Sequence, residues 1–235
     1  MYDTIEGLHE RDFVLFGVDW GAGTRGENKA QTIAIMDHLM RKKARFALLS
    51  FEPQSITLVK MIVADLAKKH NYVEGTDFVN FGYKANQDAY LKGFVLDIAG
   101  SVGVDSRGIA ISGLPVMEGV KSAHDIKLLI DVTPSDTYNS YIKFMQGSYQ
   151  MPMGAAVTAV MVPEAVNRFE SGQLVGLVPG LAGAIEYEQL LNLPGKATAA
   201  NISSSAAHFL IIAFIIMGNV AMFIEKRAKA KEELN

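Results

Sequence analysis

The longest uncharged stretch of the chain lies near its carboxyl end and constrains the whole molecule. Residues 206–224 are 19 consecutive positions without a charge, and only His208 and Asn219 interrupt the apolar run. As a helix this run would be about 28 Å long, close to the ~30 Å hydrocarbon thickness of a bilayer. The sequence therefore predicts a transmembrane helix over 204–224. The alternative is a buried core helix, but core helices are seldom apolar on every face.

The rest of the chain fits one domain and two short flanking segments. About 200 residues lie outside the span, enough for a single sizeable core. We predict an α/β domain over 1–192, a linker over 193–203 and a charged tail over 225–235. The linker sequence LPGKATAANISSS is rich in small and polar residues, so we expect an extended tether there.

Composition excludes several classes of function. The 235 residues contain no cysteine, which removes disulfides, thiolate metal sites and cysteine nucleophiles. A net charge of -3 and a pI near 6.0 argue against a general nucleic-acid binder, which needs a basic field to attract phosphates. The five histidines are dispersed, with no pair four residues apart, so the sequence predicts no zinc site.

Charges at the two ends of the chain give opposing indications of topology. The first residues, MYDTIEGLHERDF, include acidic side chains and lack the apolar region of a signal peptide, which favours a cytoplasmic domain. Short basic flanks, however, also tend to stay cytoplasmic. The charged residues after the span are Glu225, Lys226, Arg227, Lys229, Lys231, Glu232 and Glu233. Because the glutamates dilute this basic charge, we expect a single-pass protein with a cytoplasmic domain; an additional upstream membrane segment would reverse that topology.

Short apolar runs alternate with amphipathic segments throughout the domain. The predicted strands are 13–19, 45–51, 77–83, 124–133, 153–162 and 174–180. The predicted helices are 27–43, 55–70, 86–99, 136–146, 163–172 and 181–191. Strand and helix alternation is typical of parallel strands joined by right-handed crossovers. The sequence thus predicts a Rossmann-like, doubly wound, mostly parallel sheet of about six strands, followed by one C-terminal transmembrane helix.

One segment of the domain does not follow this alternation. Residues 100–122 contain Gly103, Gly108, Gly113 and Gly119 together with a proline. Such a long irregular excursion is uncommon in a compact domain and is often functional. A short apolar piece at 109–111 is its one expected regular element.

The first predicted strand ends in a glycine-rich turn, at the edge where open parallel sheets bind ligands. The candidate ligand-binding residues of this turn are Asp19, Trp20, Gly21, Gly23, Thr24 and Gly26. Its sequence GAGTRG matches the dinucleotide pattern G-x-G-x-x-G, and Glu52, beside Ser50, stands near the position of a ribose-binding carboxylate. Against this, Asp19 would repel the pyrophosphate and Trp20 would crowd it. A solvated turn or an intersubunit contact is therefore the alternative.

A second pair of candidates ends the strand predicted at 124–133. Asp131 and Thr133 occupy its last positions, and Asp131 would approach Asp19 if the two strands are neighbours. Paired carboxylates can hold Mg²⁺ or exchange protons. Alternatively, each residue simply caps the turn that follows, as Asp and Thr often do at strand ends.

Within the span, one polar residue stands among small ones. Asn219 is costly in lipid, and Ala213, Gly218 and Ala221 surround it in the sequence. Small residues let helices approach closely and an amide can bond across them. We expect these four residues to form a helix-helix contact, although Asn219 near the headgroups is a simpler interpretation.

Three segments together resemble a known family. They are FVNFGYKA at 78–85, SGQLVGLVPGLAGAIEYEQLL at 171–191 and AAHFLIIAFIIMGN at 206–219. They are similar to a family of uncharacterised prokaryotic membrane proteins, and the resemblance covers most of the chain. It implies a shared α/β domain and C-terminal anchor, and it supplies no catalytic residue.

Two functions from different classes follow from these observations. The first is a non-enzymatic, membrane-anchored module whose domain self-associates or binds partner proteins at the membrane face, without a cofactor. The second is a membrane-tethered enzyme that uses the loop from Asp19 to Asn28 to bind a nucleotide or dinucleotide. The anchor and the lack of a complete catalytic set favour the first.

Overall fold

The computed structural model describes residues 1–193 and 195–232. The chain divides into two compact units, Met1–Gly195 and a second one that begins at Lys196. The first is an α/β domain and the second is a single long helix. Pro194, in the predicted linker, and residues 233–235, in the predicted tail, lie outside the described residues.

The domain is built on one six-stranded parallel sheet. Its strands are β1 Phe13–Val18, β2 Arg45–Ser50, β3 Phe78–Tyr83, β4 Leu128–Thr133, β5 Met153–Val157 and β6 Gly176–Pro179. Their order is β3-β2-β1-β4-β5-β6 and all five pairings are parallel. The predicted fold class is confirmed, and the sheet has no antiparallel pairing within the described residues.

Helices connect these strands. Within the described residues they are α1 Tyr2–Glu6, α2 Arg25–Arg41, α3 Ser55–His70, α4 Gln87–Phe94, α5 Ile98–Val102, α6 Thr137–Tyr141, α7 Gly147–Tyr149, α8 Val162–Glu170, α9 Gly180–Leu190 and α10 Lys196–Glu232. A turn of π-helix, Ile142–Gln146, joins α6 to α7. The single helix predicted over 86–99 is wrong, because Asp97 starts a new helix there by accepting a hydrogen bond from the Gly100 amide at 2.9 Å.

Two predicted strands are shorter in the structure. The segment 124–133 begins its strand only at Leu128, since Ala123–Asp125 is a 3-10 turn closed by a capping box. The segment 153–162 leaves the sheet after Val157, and its last residue already begins α8. In both cases apolar residues next to a strand belong to the adjacent turn or helix and not to the strand.

Both faces of the sheet are buried, which explains the continuous apolar strands. On one face, β1 residues such as Val14 and Phe16 pack with residues of α2, α3 and α9. On the other face, Phe13 and Leu15 pack with residues of α4, α5, α6 and α8. The alternation of β1 side chains between two cores is the doubly wound arrangement that the sequence predicts.

The glycine-rich excursion lies at the amino ends of the strands. The Val116 amide donates to Gly75 O at 3.1 Å just before β3. Arg45, the first residue of β2, donates to Val116 O at 3.1 Å and to Glu118 O at 2.7 Å. The apolar piece expected at 109–111 forms an isolated bridge, Val104 to Ala110, and its last residue begins a short 3-10 helix, Ile111–Gly113. Residues 116–118 of the excursion are therefore remote from the ligand edge of the sheet.

The second unit is the helix α10. It contains a window, Ser205–Ile224, of 20 residues with mean hydropathy 2.3, long and apolar enough to cross a membrane. The helix already begins at Lys196, so the extended tether predicted over 193–203 is wrong from that residue onward. Once a helix exists, each further residue gains a hydrogen bond at little entropic cost, and the alanines of this segment favour that growth.

Candidate functional site

The predicted carboxylate pair meets at the centre of the sheet. Strands β1 and β4 are neighbours, and their register pairs Gly17 with Asp131. Asp19 is the first residue after β1, and its amide donates to Val132 O at 2.9 Å. The order of the strands reverses between β1 and β4, so this is the switch point at which such sheets bind ligands. Both residues are buried, since Asp19 is 3% exposed and Asp131 is 0% exposed.

Asp19 is held by two donors and lies beside a third polar group. The Phe51 amide donates to its Oδ1 at 2.5 Å, and Ser50 Oγ lies 3.3 Å from the same oxygen. Tyr141 OH donates to Oδ2 at 3.5 Å. Burial raises the pKa of the Tyr141 phenol well above its usual value, which keeps this hydroxyl protonated as a donor. These contacts orient the Asp19 carboxyl inside the protein.

Asp131 is less well satisfied. Its Oδ2 accepts from Thr137 Oγ1 at 3.1 Å, whereas its Oδ1 receives no hydrogen bond from any described residue. Burial raises the pKa of Asp19 to about 6. Burial, reinforced by the Asp19 carboxylate, raises the pKa of Asp131 well above its ordinary value. Asp131 is therefore the member of this coupled pair that more readily holds a proton, and a proton on Oδ1 can be donated towards Asp19.

Hydroxyl groups continue this polar cluster along the ends of the strands. Thr137 Oγ1 lies 2.6 Å from Thr133 Oγ1, and Thr133 Oγ1 accepts a hydrogen bond from the Ser135 amide at 3.1 Å. Ser50 Oγ donates to Val18 O at 2.9 Å. Of the predicted ligand-binding residues, the structure thus brings four together, namely Asp19, Ser50, Asp131 and Thr133. All four are buried.

Trp20 belongs to the core and not to a ligand surface. It is 1% exposed, and its indole Nε1 donates to Thr32 Oγ1 at 3.0 Å. Its amide donates to Ser55 Oγ at 3.0 Å, while Ser55 Oγ donates to Trp20 O at 2.7 Å. The residue therefore links the end of β1 to α2 and α3.

Gly26 of the turn lacks one contact that a dinucleotide motif makes. In that motif the third glycine allows close packing between helix and strand. A Cβ atom built on Gly23 or on Gly26 meets no protein atom within 4 Å, so the packing that requires the third glycine is missing at Gly26. Gly21 faces Gln54, whose Oε1 accepts a hydrogen bond from the Ala22 amide at 3.2 Å.

The remaining candidates of the turn bond to nearby backbone atoms. Thr24 Oγ1 lies 3.4 Å from Gly21 O, and Glu52 Oε1 accepts from the Gln54 amide at 3.1 Å. Glu52 therefore closes its own turn. It is separated from the buried carboxyls by the Ser50 and Phe51 contacts described above.

Several residues of the site carry no recognisable motif. Gln31, fully buried in α2, donates through Nε2 to Val157 O at 2.8 Å, Val178 O at 3.1 Å and Gly180 O at 3.1 Å. It thereby seals the ends of β5 and β6. Tyr141 and Thr137 also escape sequence analysis, because nothing local marks them. Gly17 does leave a signal, since a glycine inside an apolar strand indicates a close approach.

The four predicted contact residues of the span do not share one face. At about 100° per residue, Asn219 lies about 160° around the helix from Ala221 and about 120° from Ala213. Its Nδ2 donates to Ile215 O at 2.9 Å, one turn earlier in the same helix. Gly218 and the two alanines lie on a different side. Asn219 and the three small residues therefore cannot contact one neighbouring helix through a single face, as their proximity in the sequence suggested.

Comparison of the chain with known protein families, with curated proteins and with solved structures finds no match.

The buried carboxyl pair predicts an unusual pH dependence of stability. Because the folded-state pKa values lie above that of an ordinary aspartate, the folded protein binds more protons than the unfolded chain between those values. The contribution of this pair to the free energy of unfolding therefore falls as pH rises from about 4 through 6 and beyond, by on the order of 1–3 kcal/mol. Asp131→Asn imitates the protonated carboxyl, so it should flatten this slope and stabilise the protein at pH 8.

Denaturant unfolding of the full chain in detergent, repeated at pH 5 to 8, measures this effect. Asp65→Asn removes the same charge from an exposed position of α3 and serves as the control, with an unchanged slope expected. If Asp131→Asn leaves the pH dependence of the free energy of unfolding unchanged, then ionisation of the pair does not destabilise the folded protein, and the prediction is wrong.

Proposed function

We propose that this protein is a membrane-anchored assembly module, whose α/β domain self-associates or binds partner proteins at the membrane face. The observation that carries the proposal is the helix window Ser205–Ile224, with mean hydropathy 2.3 and none of its residues buried. Large side chains such as Phe209, Phe214 and Phe223 are more than half exposed there. Such a surface is stable in lipid and unfavourable in water.

The domain supports this proposal because its own side chains fill the edge of the sheet at which such folds bind ligands. The polar residues at the switch point bond to one another and are buried, and the carboxyls Asp19 and Asp131 would repel a phosphate. Gln31 fills the neighbouring position at the ends of β5 and β6. The side chains at this edge thus fill the space that a ligand would need, which suits a domain that acts through its outer surface.

The proposed topology is single-pass with a cytoplasmic domain. Glu225, Glu232 and Glu233 weaken the basic character of the segment after the span, so the rule that retains positive flanks in the cytoplasm acts less strongly on it. The opposite topology is the alternative. Protease protection of the domain in sealed vesicles of known orientation distinguishes the two.

A nucleotide- or dinucleotide-dependent enzyme is the second candidate. One observation favours it, the strand order β3-β2-β1-β4-β5-β6, which is that of classical dinucleotide-binding domains. The missing contact between helix and strand at Gly26 and the acidic pair beside the turn weigh against it. We therefore place it below the assembly module.

Reconstitution of the full chain in lipid vesicles tests the proposal. We expect the protein to float with the vesicles, to resist extraction at alkaline pH, and to form domain-domain lysine cross-links at low protein-to-lipid ratio. A protein that stays dispersed in detergent-free buffer would contradict the anchor. Strong thermal stabilisation by NAD or ATP, lost in Gly21→Val, would instead favour the second candidate.

A further inference from the structure

The polar residues of the membrane-spanning window lie in one line along the helix. The window Ser205–Ile224 contains only three polar side chains, Ser205, His208 and Asn219. Intervals of three and four residues connect these three through two apolar positions, Ile212 and Ile215, and lead on to Met222 beyond Asn219. The complete stripe is Ser205, His208, Ile212, Ile215, Asn219 and Met222. This alternation is the a/d pattern of a left-handed coiled coil.

Asn219 is the residue of this stripe that most requires a partner. It lies five residues before the end of the window, about 7–8 Å inside the apolar layer at 1.5 Å per residue. One hydrogen of Nδ2 is used by Ile215 O at 2.9 Å. The other hydrogen and the Oδ1 acceptor make no further bond to the described residues, and hydrocarbon offers neither a donor nor an acceptor.

We propose that this stripe is the contact surface between two copies of the chain, packed as a parallel left-handed pair with Asn219 facing Asn219 of the second copy. The inference rests on the proposed function, since it assumes that the helix lies in a membrane. All copies of one chain insert with the same orientation, so a side-by-side pair is parallel. In a parallel two-fold pair each a or d residue meets its own counterpart.

Self-pairing satisfies the chemistry of the stripe. A side-chain amide is both donor and acceptor, so the free Nδ2 hydrogen of one Asn219 matches the Oδ1 of the other. Ile212 and Ile215 supply the β-branched packing between Asn219 and His208. The small residues Ala213 and Ala221 lie on another side of the helix, where they form the natural control.

The absence of cysteine from the chain makes a cross-linking experiment unusually clean. Single cysteines are placed at 208, 212, 215, 219 and 222 on the stripe, and at 213, 217, 218 and 221 off it. The full-length variants are oxidised in phosphatidylcholine vesicles at high dilution in lipid. Because a disulfide requires Cβ atoms about 4 Å apart, dimer yield should be severalfold higher at every stripe position than at the others.

A second measurement examines the amide itself. Energy transfer between labelled full-length chains in the same vesicles should show dimerisation weakened about threefold to thirtyfold in Asn219→Leu. Asn219→Gln should recover part of the loss, whereas Ala221→Leu should leave it unchanged. Leucine is more apolar than asparagine, so insertion of the helix is preserved.

Two results would overturn the inference. One is a cross-linking yield that is flat around the helix, as expected for single helices surrounded by lipid. The other is a maximum at 213, 218 and 221, which would assign the contact to the small residues. Neither result affects co-flotation of the chain with vesicles or lysine cross-linking between domains, so the proposed function would stand or fall separately.

Discussion

Arginine at both Ile211 and Phe214 is expected to abolish stable membrane insertion. Both residues lie near the middle of the window Ser205–Ile224 and away from the Asn219 stripe. An arginine at the centre of a spanning helix costs about 2.5–3.5 kcal/mol, and each apolar residue that it replaces loses a further few tenths. The pair should therefore cost about 6–8 kcal/mol, which exceeds what the remaining apolar residues can offset. The measurement is the fraction of full-length protein that resists alkaline extraction.

The domain itself offers a matched control for this change. Met61 and Leu96 are apolar side chains that are 76% and 72% exposed on the first unit. Arginine at these two positions adds the same charge to the same chain without entering lipid. We expect the control to remain in the membrane fraction. Loss of both proteins from that fraction would indicate a general effect of charge and would contradict the assignment of Ser205–Ile224 as the anchor.

The sheet could be predicted because its signals are strong and local. Each strand is a mostly apolar run of four to six residues bounded by polar turns, and the helices α3, α4 and α8 have a periodic apolar face. The errors occur where one local signal competes with another. Asp97 caps a new helix inside an otherwise periodic segment, and the alanines after Lys196 extend α10 into residues that look like a linker.

The site could be predicted only in part. That Asp19 and Asp131 meet follows from one topological rule, since both stand at the ends of strands that the fold makes adjacent. Their burial does not follow, because it depends on Tyr141 and Phe51, which approach from distant parts of the chain. The glycines of the GAGTRG turn show the converse problem. A pattern of residue types can match a motif while the backbone gives its glycines no close neighbour.

Gly17→Ala is expected to destabilise the protein through a clash that one further substitution removes. A Cβ atom on Gly17 would lie 2.8 Å from Asp131 Oδ1 and 3.3 Å from Tyr141 OH. These atoms are buried in the centre of the sheet and have little room to move, so overpacking should cost about 1–3 kcal/mol. Denaturant unfolding of the full chain in detergent measures this loss.

The substitution should have the opposite sign once Asp131 is shortened. In Asp131→Ala the close oxygen is gone, and alanine is favoured over glycine inside a strand by roughly 0.5–1 kcal/mol. Gly17→Ala should then be neutral or stabilising, so the double-mutant cycle yields a coupling energy of about 1–4 kcal/mol. Gly23→Ala, at a position with no atom within 4 Å, is the control and should change stability little in either background. Gly17→Ala could instead cost the same in the parent protein and in Asp131→Ala. That result would show that the glycine is needed for the backbone conformation of β1, and that the Asp131 carboxyl does not depend on the space beside Gly17.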